Sequence, residues 1–256
     1  MTSVDDALLA VDSVSQNFGG VQAVRDCSFV VRSGHVTGLI GPNGAGKSTL
    51  MEIIAGGLRP TRGRVVLRGE DITGKLRSTV GRMGLVRTFQ TARVFPRLPL
   101  MENLLIGRQV QRGESLARAW LPPLWRAQED ELRARAEELL EEVGLSHRRD
   151  ALGGELSGGQ MKLLEIARAL MANPTLLLLD EPIAGVNPRL VDTVVAVIER
   201  LRGRGIEVLL VEHNLSFVGR VCSDVIVMAE GTVLAQGDLD TVRADRRVID
   251  AYLGSA

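Results

Sequence analysis

An α/β fold, with a mixed parallel core sheet, an N-terminal antiparallel β subdomain and an inserted helical subdomain, is predicted for this 256-residue chain by three observations. The runs "VTGLI", "TLLLLD" and "IEVLLVEH" are apolar without clean alternation, as strands buried on both faces are. Helix-patterned stretches separate them, which parallel pairing requires. Near the start, "LLAVDSV", "VQAVRDCSFVV" and "GRVVLRG" are β-rich and divided by turn residues, the pattern of a small antiparallel sheet.

The elements between follow from local pattern. After "VTGLI", the stretch "STLMEIIAG" is patterned as a helix. From about 92 to 172 the composition shifts to helix formers, and "RAQEDELRARAEELLEEVGL" sets Leu132, Ala136, Leu139, Leu140 and Val143 on one face before Gly144 ends the helix. The stretch "RGESLARAWLPPLW" resists that pattern, because Pro122 and Pro123 break a helix while Trp120 and Trp125 ask for burial. It reads as a local insertion. Farther on, "VIVMAEGTVLAQG" predicts a hairpin turning near Glu230 and Gly231, followed by a polar helix and a short tail. The expected division is 1–91 for the antiparallel sheet and first part of the core, 92–172 for the helical subdomain and 173–256 for the rest of the core with the C-terminal hairpin and helix.

Bulk properties exclude several classes. Hydrophobic residues at 45% and charged residues at 24% are ordinary for a globular chain and argue against disorder. Lys+Arg and Asp+Glu balance at 31 each, which leaves no electrostatic footprint for nucleic acid. Cys27 and Cys222 stand far apart without a CxxC or Cys/His cluster, so they read as reduced core residues. The opening "MTSVDDALLAVDS" is acidic and unlike a secretory signal, and no apolar run approaches the ~18 residues of a membrane span. The expected location is cytoplasmic.

Chemistry enters with "GPNGAGKST", which matches GxxxxGK[ST] over Gly41, Pro42, Asn43, Gly44, Ala45, Gly46, Lys47 and Ser48, with Thr49 following. A strand leads into it and a helix leads out, so backbone N–H groups and a helix N-terminus can face nucleotide phosphates. Lys47 is then placed to reach the β- and γ-phosphates, and Ser48 to offer its hydroxyl to Mg²⁺. The strand "TLLLLDEP" delivers Asp180 beside this loop, a carboxylate suited to holding Mg²⁺ through its water shell. Neighbouring strand residues point to opposite sides, so Glu181 takes a different task, as general base or polarising acceptor for the attacking water. A second glycine site, Ser157, Gly158, Gly159 and Gln160, heads another helical pattern. It fits a capping box and also an anion site open to a phosphate from outside, and both readings can hold together.

The order of motifs, phosphate loop, "RTFQ", "LSGGQ", "LLLLDEP" and "VEH", resembles the nucleotide-binding subunit of ABC transporters. The resemblance implies one ABC-type P-loop NTPase domain over 1–256. In it Gln90 is the Q-loop residue, contributing to metal binding and catalysis, Leu156–Gln160 is the signature motif, and His213 is the switch histidine. Phe18, ahead of the first sheet, falls where the family stacks adenine; a core aromatic is the other reading. The family pairs two subunits head to tail, so each signature motif closes over ATP held by the other. The resemblance therefore implies ATP and Mg²⁺ as cofactors, a second ABC ATPase subunit in a homodimer or heterodimer, transmembrane permease subunits, and indirectly an extracytoplasmic solute-binding protein. It implies a peripheral position on the inner face of the cell membrane. "RTFQTARVFPRLPLMENLLIG", "DEPIAGVNP" and "VIDAYLG" are similar to the ATP-binding subunits of branched-chain amino-acid importers, and an insertion around 107–130 fits the larger of the two; the alternatives are the motor of an ABC transporter for another solute or a lipid, and a soluble ABC-type ATPase acting on nucleic acid. Asn187 stands where the general family pattern has the D-loop aspartate.

Overall fold

In a computed structural model, which describes residues 7–88, 93–108 and 126–253, the N-terminal strands pair as a long hairpin of β1 (Ala7–Phe18) and β2 (Val21–Arg32). Four register irregularities break its alternation, two of them flanking Val14, between Val11 and Val14 and between Val14 and Gln16, and Ser13 there takes a φ of 51°. A bulge of this kind bends and twists the strand locally. The chain then runs through β3 (Val36–Ile40) into α1 (Lys47–Ile54), and returns to the antiparallel sheet as β4 (Arg62–Leu67) and β5 (Glu70–Asp71). That sheet has the order β2-β1-β4-β5. Phe18 is the last residue of β1, so it belongs to the first sheet and does not precede it.

After α2 (Arg77–Arg82) comes β6 (Leu85–Arg87), the outer strand of the core sheet. The helical part supplies α3 (Leu100–Leu105), α4 (Arg126–Glu142) and α5 (Gly158–Leu170), and the remaining elements are β7 (Leu176–Asp180), α6 (Pro188–Gly203), β8 (Glu207–Val211), α7 (Leu215–Val221), β9 (Asp224–Ala229), β10 (Thr232–Gly237), α8 (Leu239–Ala244) and α9 (Arg246–Leu253). The core sheet has the order β10-β9-β3-β8-β7-β6, parallel throughout except for the β9–β10 hairpin. Every residue of β3, β7, β8 and β9 is buried, which is why their sequences show no alternation. Glu230 and Gly231, with φ of 47° and 81°, form the tight turn between β9 and β10.

The C-terminus differs from a single polar helix with a tail. Asp238 accepts the Thr241 N–H and starts α8; Asp245 accepts the Arg247 N–H and starts α9. Two successive caps divide the segment. Cys27 is buried and Cys222 half-buried, both free thiols.

Contacts group the chain into two units, one of Met1–Arg87, Thr175–Pro182 and Ile198–Ala256, the other of Thr88–Pro174 and Ile183–Val197. Both sheets lie in the first. In the second, α3 packs on α4 and α5, and α4 on α5. Their buried faces are Leu100 and Leu104, then Ala136, Leu139, Leu140 and Val143, then Leu163, Leu164, Ala167 and Leu170. Gly144, at φ 72°, closes α4 with the paired Leu145 N–H to Leu140 and Gly144 N–H to Glu141 bonds of a Schellman turn. Asn103, fully buried, accepts the Phe95 N–H at 2.8 Å and donates to the carbonyls of Phe95, Leu98 and Pro99 at 3.0–3.1 Å, fixing the segment that precedes α3. Residues 183–197 join this unit, although the sequence groups them with the rest of the core: Val186 and Leu190 sit against Gly159 at the start of α5.

Candidate active site

Leu39 on β3, Val211 on β8 and Asp180 on β7 form one row across the core sheet. Adjacent strands are ~4.8 Å apart, so β3 and β7 stand about 10 Å apart with β8 between them. At the same edge, and within two residues of that row, the strands release Gly41, His213 and Glu181. The carboxyl ends of parallel strands thus gather a loop, an imidazole and two carboxylates in one crevice, where ligands of open α/β sheets bind.

The loop's shape is imposed by its glycines. Gly41 has φ 149°, and a Cβ there would lie 2.0 Å from the Met228 carbonyl oxygen; at Gly46, φ 93°, it would lie 2.3 Å from the Ala23 carbonyl. Both neighbours are backbone and have no room to yield. Gly46 is also the N-cap of α1, where no side chain caps the first turn, so the amides of Lys47, Ser48 and Thr49 head the helix without a side-chain acceptor there. Ala45 is buried, and Asn43, Gly44 and Ser48 are exposed. Pro42 and Lys47 are half-buried. The Lys47 ammonium folds back to donate to the carbonyls of Gly41 and Pro42, each at 2.8 Å. Burial pulls its pKa below the ordinary lysine range, opposed by the charges of Glu181 and Asp180. That opposition places both carboxylates within electrostatic reach of the ammonium.

Asp180, 4% exposed, accepts from Arg87 Nη2 at 2.8 Å. Glu181 lies just past the strand and not within it: its φ of 47° is left-handed, and its N–H donates to Val211 at 3.0 Å. The two carboxylates are separated by this turn, and strand alternation is not the cause. For a residue with a Cβ the conformation costs roughly 1–2 kcal/mol. Such a conformation persists only where the surrounding structure over-determines it. His213 is exposed, its Nδ1 4.0 Å from Glu181 Oε1, beyond hydrogen-bond reach. Its main chain is held by Glu212, 1% exposed, which accepts the His213 N–H at 3.1 Å. Asn214 then caps α7 by accepting from Phe217 at 3.0 Å. Glu212 and Arg87 lie within "VEH" and "RTFQ", but nothing local in the sequence marks them as supports for their neighbours. Phe18 is 51% exposed, which removes the core reading. Gln90 and residues 109–125, most of the expected insertion, lie outside the described residues.

In the second unit the Ser157–Gln160 turn is a complete capping box. Ser157 Oγ accepts the Gln160 N–H at 3.4 Å, and Gln160 Oε1 accepts the Ser157 N–H at 3.0 Å and a bond from Arg148 at 3.4 Å. Its two glycines differ. A Cβ on Gly159 would meet Leu190 Cδ1 at 2.9 Å, whereas one on Gly158 would meet nothing within 4 Å among the described residues. Asn187 accepts the Leu190 N–H at 3.1 Å and so caps α6, whose first residue is Pro188.

The sequence model of the ABC transporter family matches residues 24–184, which include the phosphate loop, the Ser157–Gln160 turn and the Asp180–Glu181 pair. The chain belongs to the ABC transporter family. It is an ATP-binding cassette and an ATPase. A second model, branched-chain amino acid ATP-binding cassette transporter, matches residues 232–256 of this ABC subunit. It is similar to the high-affinity branched-chain amino acid transport ATP-binding protein BraF of Pseudomonas aeruginosa, 38% identical over 251 residues, 97% of this chain and 98% of BraF. The lipopolysaccharide export system ATP-binding protein LptB of Haemophilus influenzae is 37% identical over 248 residues, 97% of this chain and 98% of LptB. Among solved structures, the ADP conformation of MJ1267, an ATP-binding cassette of an ABC transporter, superposes with a TM-score of 0.84 at 40% identity, covering 97% of this cassette and 99% of that chain. No helix among the described residues of the cassette is long and apolar enough to cross a membrane.

Proposed function

We propose that this subunit hydrolyses MgATP to drive import of branched-chain amino acids, working as a head-to-tail dimer on transmembrane permeases at the inner face of the membrane. One observation carries the dimer: the chain holds two glycine-bearing helix starts, and the second has a glycine, Gly158, that nothing within the described chain requires. A partner's phosphate approaching Ser157 and the first amides of α5 would require it. The C-terminal match over 232–256 and the BraF likeness support the branched-chain solute.

In this reading Lys47 exchanges its two carbonyl acceptors for phosphate oxygens, and the amides at the head of α1 face the same group. Phe18 stacks on adenine from the end of β1. The donors near Lys47 are hard oxygens, the Ser48 hydroxyl and the Asp180 carboxylate, which suit Mg²⁺ shared with phosphate. Gln90 joins them by resemblance. Mg²⁺, when bound, offsets charge developing on the transferred phosphoryl group. Glu181 accepts a proton from, or polarises, the attacking water, and His213 reaches γ-phosphate and water by rotating its exposed ring. Across the dimer, each charge-assisted hydrogen bond from Ser157, Gly158 or Gly159 is worth about 1.5–3 kcal/mol, so losing γ-phosphate reopens the interface.

The test is Glu181→Gln with saturating MgATP. Light scattering should show a trapped dimer; a species that stays monomeric overturns the shared site. The LptB likeness keeps a lipid-export motor as the second reading. Purification from native membranes in mild detergent decides between them. Two permeases and a second cassette from an importer support the first, and an export assembly supports the second.

A further inference from the structure

Asp180 belongs to a line of alternating charge that leads away from the nucleotide crevice. Arg87 Nη2 donates to Asp180 Oδ2 at 2.8 Å, and Arg87 Nη1 donates to Glu52 Oε2. The other oxygen of Glu52 receives Arg77 Nη2. Arg87 is the last residue of β6, and its side chain is only 13% exposed and that of Asp180 5%. Strand pairing explains the meeting: Arg87 registers with Leu178, and Asp180 is two residues farther along β7, on the same face. Glu52 lies on α1, five residues after Lys47.

We propose that Arg87 is a positioning residue for Asp180, holding its carboxylate toward the metal side of the phosphate site and tying it to the phosphate-loop helix through Glu52. The proposal rests on the reading of Asp180 as the Mg²⁺-side carboxylate. A carboxylate beside the Lys47 ammonium is drawn toward that charge unless a second cation holds it. One planar guanidinium can engage Asp180 and Glu52 at once with fixed directions, which an ammonium on a flexible stem does not reproduce. Hydrogen-bonding partners of metal-ligating carboxylates have this orienting effect generally.

The experiment measures equilibrium binding of a fluorescent ATP analogue to the purified chain, in EDTA and in Mg²⁺, for Arg87→Met, Arg87→Lys, Glu52→Gln and Asp180→Asn. Thermal melting establishes that each variant is folded. The expected result for Arg87→Met is EDTA affinity within about twofold of the parent, with the gain on adding Mg²⁺ reduced about tenfold or more. Arg87→Lys should recover part of the gain, and Glu52→Gln should lose less of it than Arg87→Met. If Asp180→Asn loses the Mg²⁺ gain while Arg87→Met and Glu52→Gln keep it, the positioning role is overturned and the metal reading stands. If Asp180→Asn keeps the gain, the metal reading falls and the proposal with it. Equal losses in EDTA and Mg²⁺ assign Arg87 a purely structural role and also overturn it. Should Arg87→Met fail to fold, Arg87→Lys and Glu52→Gln decide by the same split.

Discussion

The phosphate loop and the Ser157–Gln160 turn are both glycine-bearing helix starts, yet their glycines answer to different constraints. At Gly41 and Gly46 the chain's own backbone occupies the space of a Cβ, and positive φ adds a second demand. Those residues would be glycine for folding alone. At the Ser157 turn the cap is made by side chains, Gly159 is crowded by the flexible end of Leu190, and Gly158 has open space among the described residues. A glycine with a structural cause says little about ligands; one without such a cause leaves room for a group from outside the chain.

The strongest way to break the contrast is Gly41→Ala. Its Cβ would lie 2.0 Å from the Met228 oxygen at a φ of 149°, so relief requires the β9 backbone to move. The expected loss exceeds about 4 kcal/mol, in the range reserved for specific structural failures. Urea unfolding measures it, and a loss under about 1 kcal/mol would show that the loop is not held by the fold. Lys47→Ala comes next, and acts on the ligand: the ammonium already sits in a half-buried, carbonyl-lined place, so its removal should lower nucleotide affinity by about 10–100-fold. Unchanged affinity in equilibrium binding would remove Lys47 from the site.

The paired test at the second turn sharpens the comparison. Gly158→Ala should keep or slightly raise stability, since alanine suits a helix better than glycine, and turnover should fall by about tenfold or more if γ-phosphate approaches there. Gly159→Ala should cost roughly 1 kcal/mol in unfolding as Leu190 yields a few tenths of an ångström. A Gly158→Ala protein with parental kcat would reduce the turn to a helix cap.

Legibility in the sequence followed the range of the interaction. The buried strands were readable because burial on both faces leaves an unbroken apolar run, as in Leu176–Leu179. The capping box was readable because Ser157 and Gln160 lie within one turn. Arg87 and Asp180 are 93 residues apart, and only the β6–β7 register brings them together. The left-handed Glu181 was hidden for another reason: a glutamate at that conformation is held by its surroundings and not by its own preference. Asp238 and Asp245 are a different case, since each was a visible cap signal within what read as one helix.

Asn187 gives the smallest effect and a separate division of labour. The Asn-Pro pair at the start of α6 is itself a helix-start signal, and the side-chain oxygen at 3.1 Å from the Leu190 nitrogen carries it out. Aspartate presents an oxygen equally well at an N-cap, so Asn187→Asp should change stability by only a few tenths of a kcal/mol, while Asn187→Ala should cost about 1 kcal/mol. Unfolding of the isolated chain measures the cap, and kcat measures whatever the side chain does beyond it. If Asn187→Asp leaves both alone, the residue's chemistry is that of a cap, which either side chain supplies. A fall in kcat with stability unchanged would place a neutral side chain at a second task, one in which added negative charge near a phosphate is unfavourable.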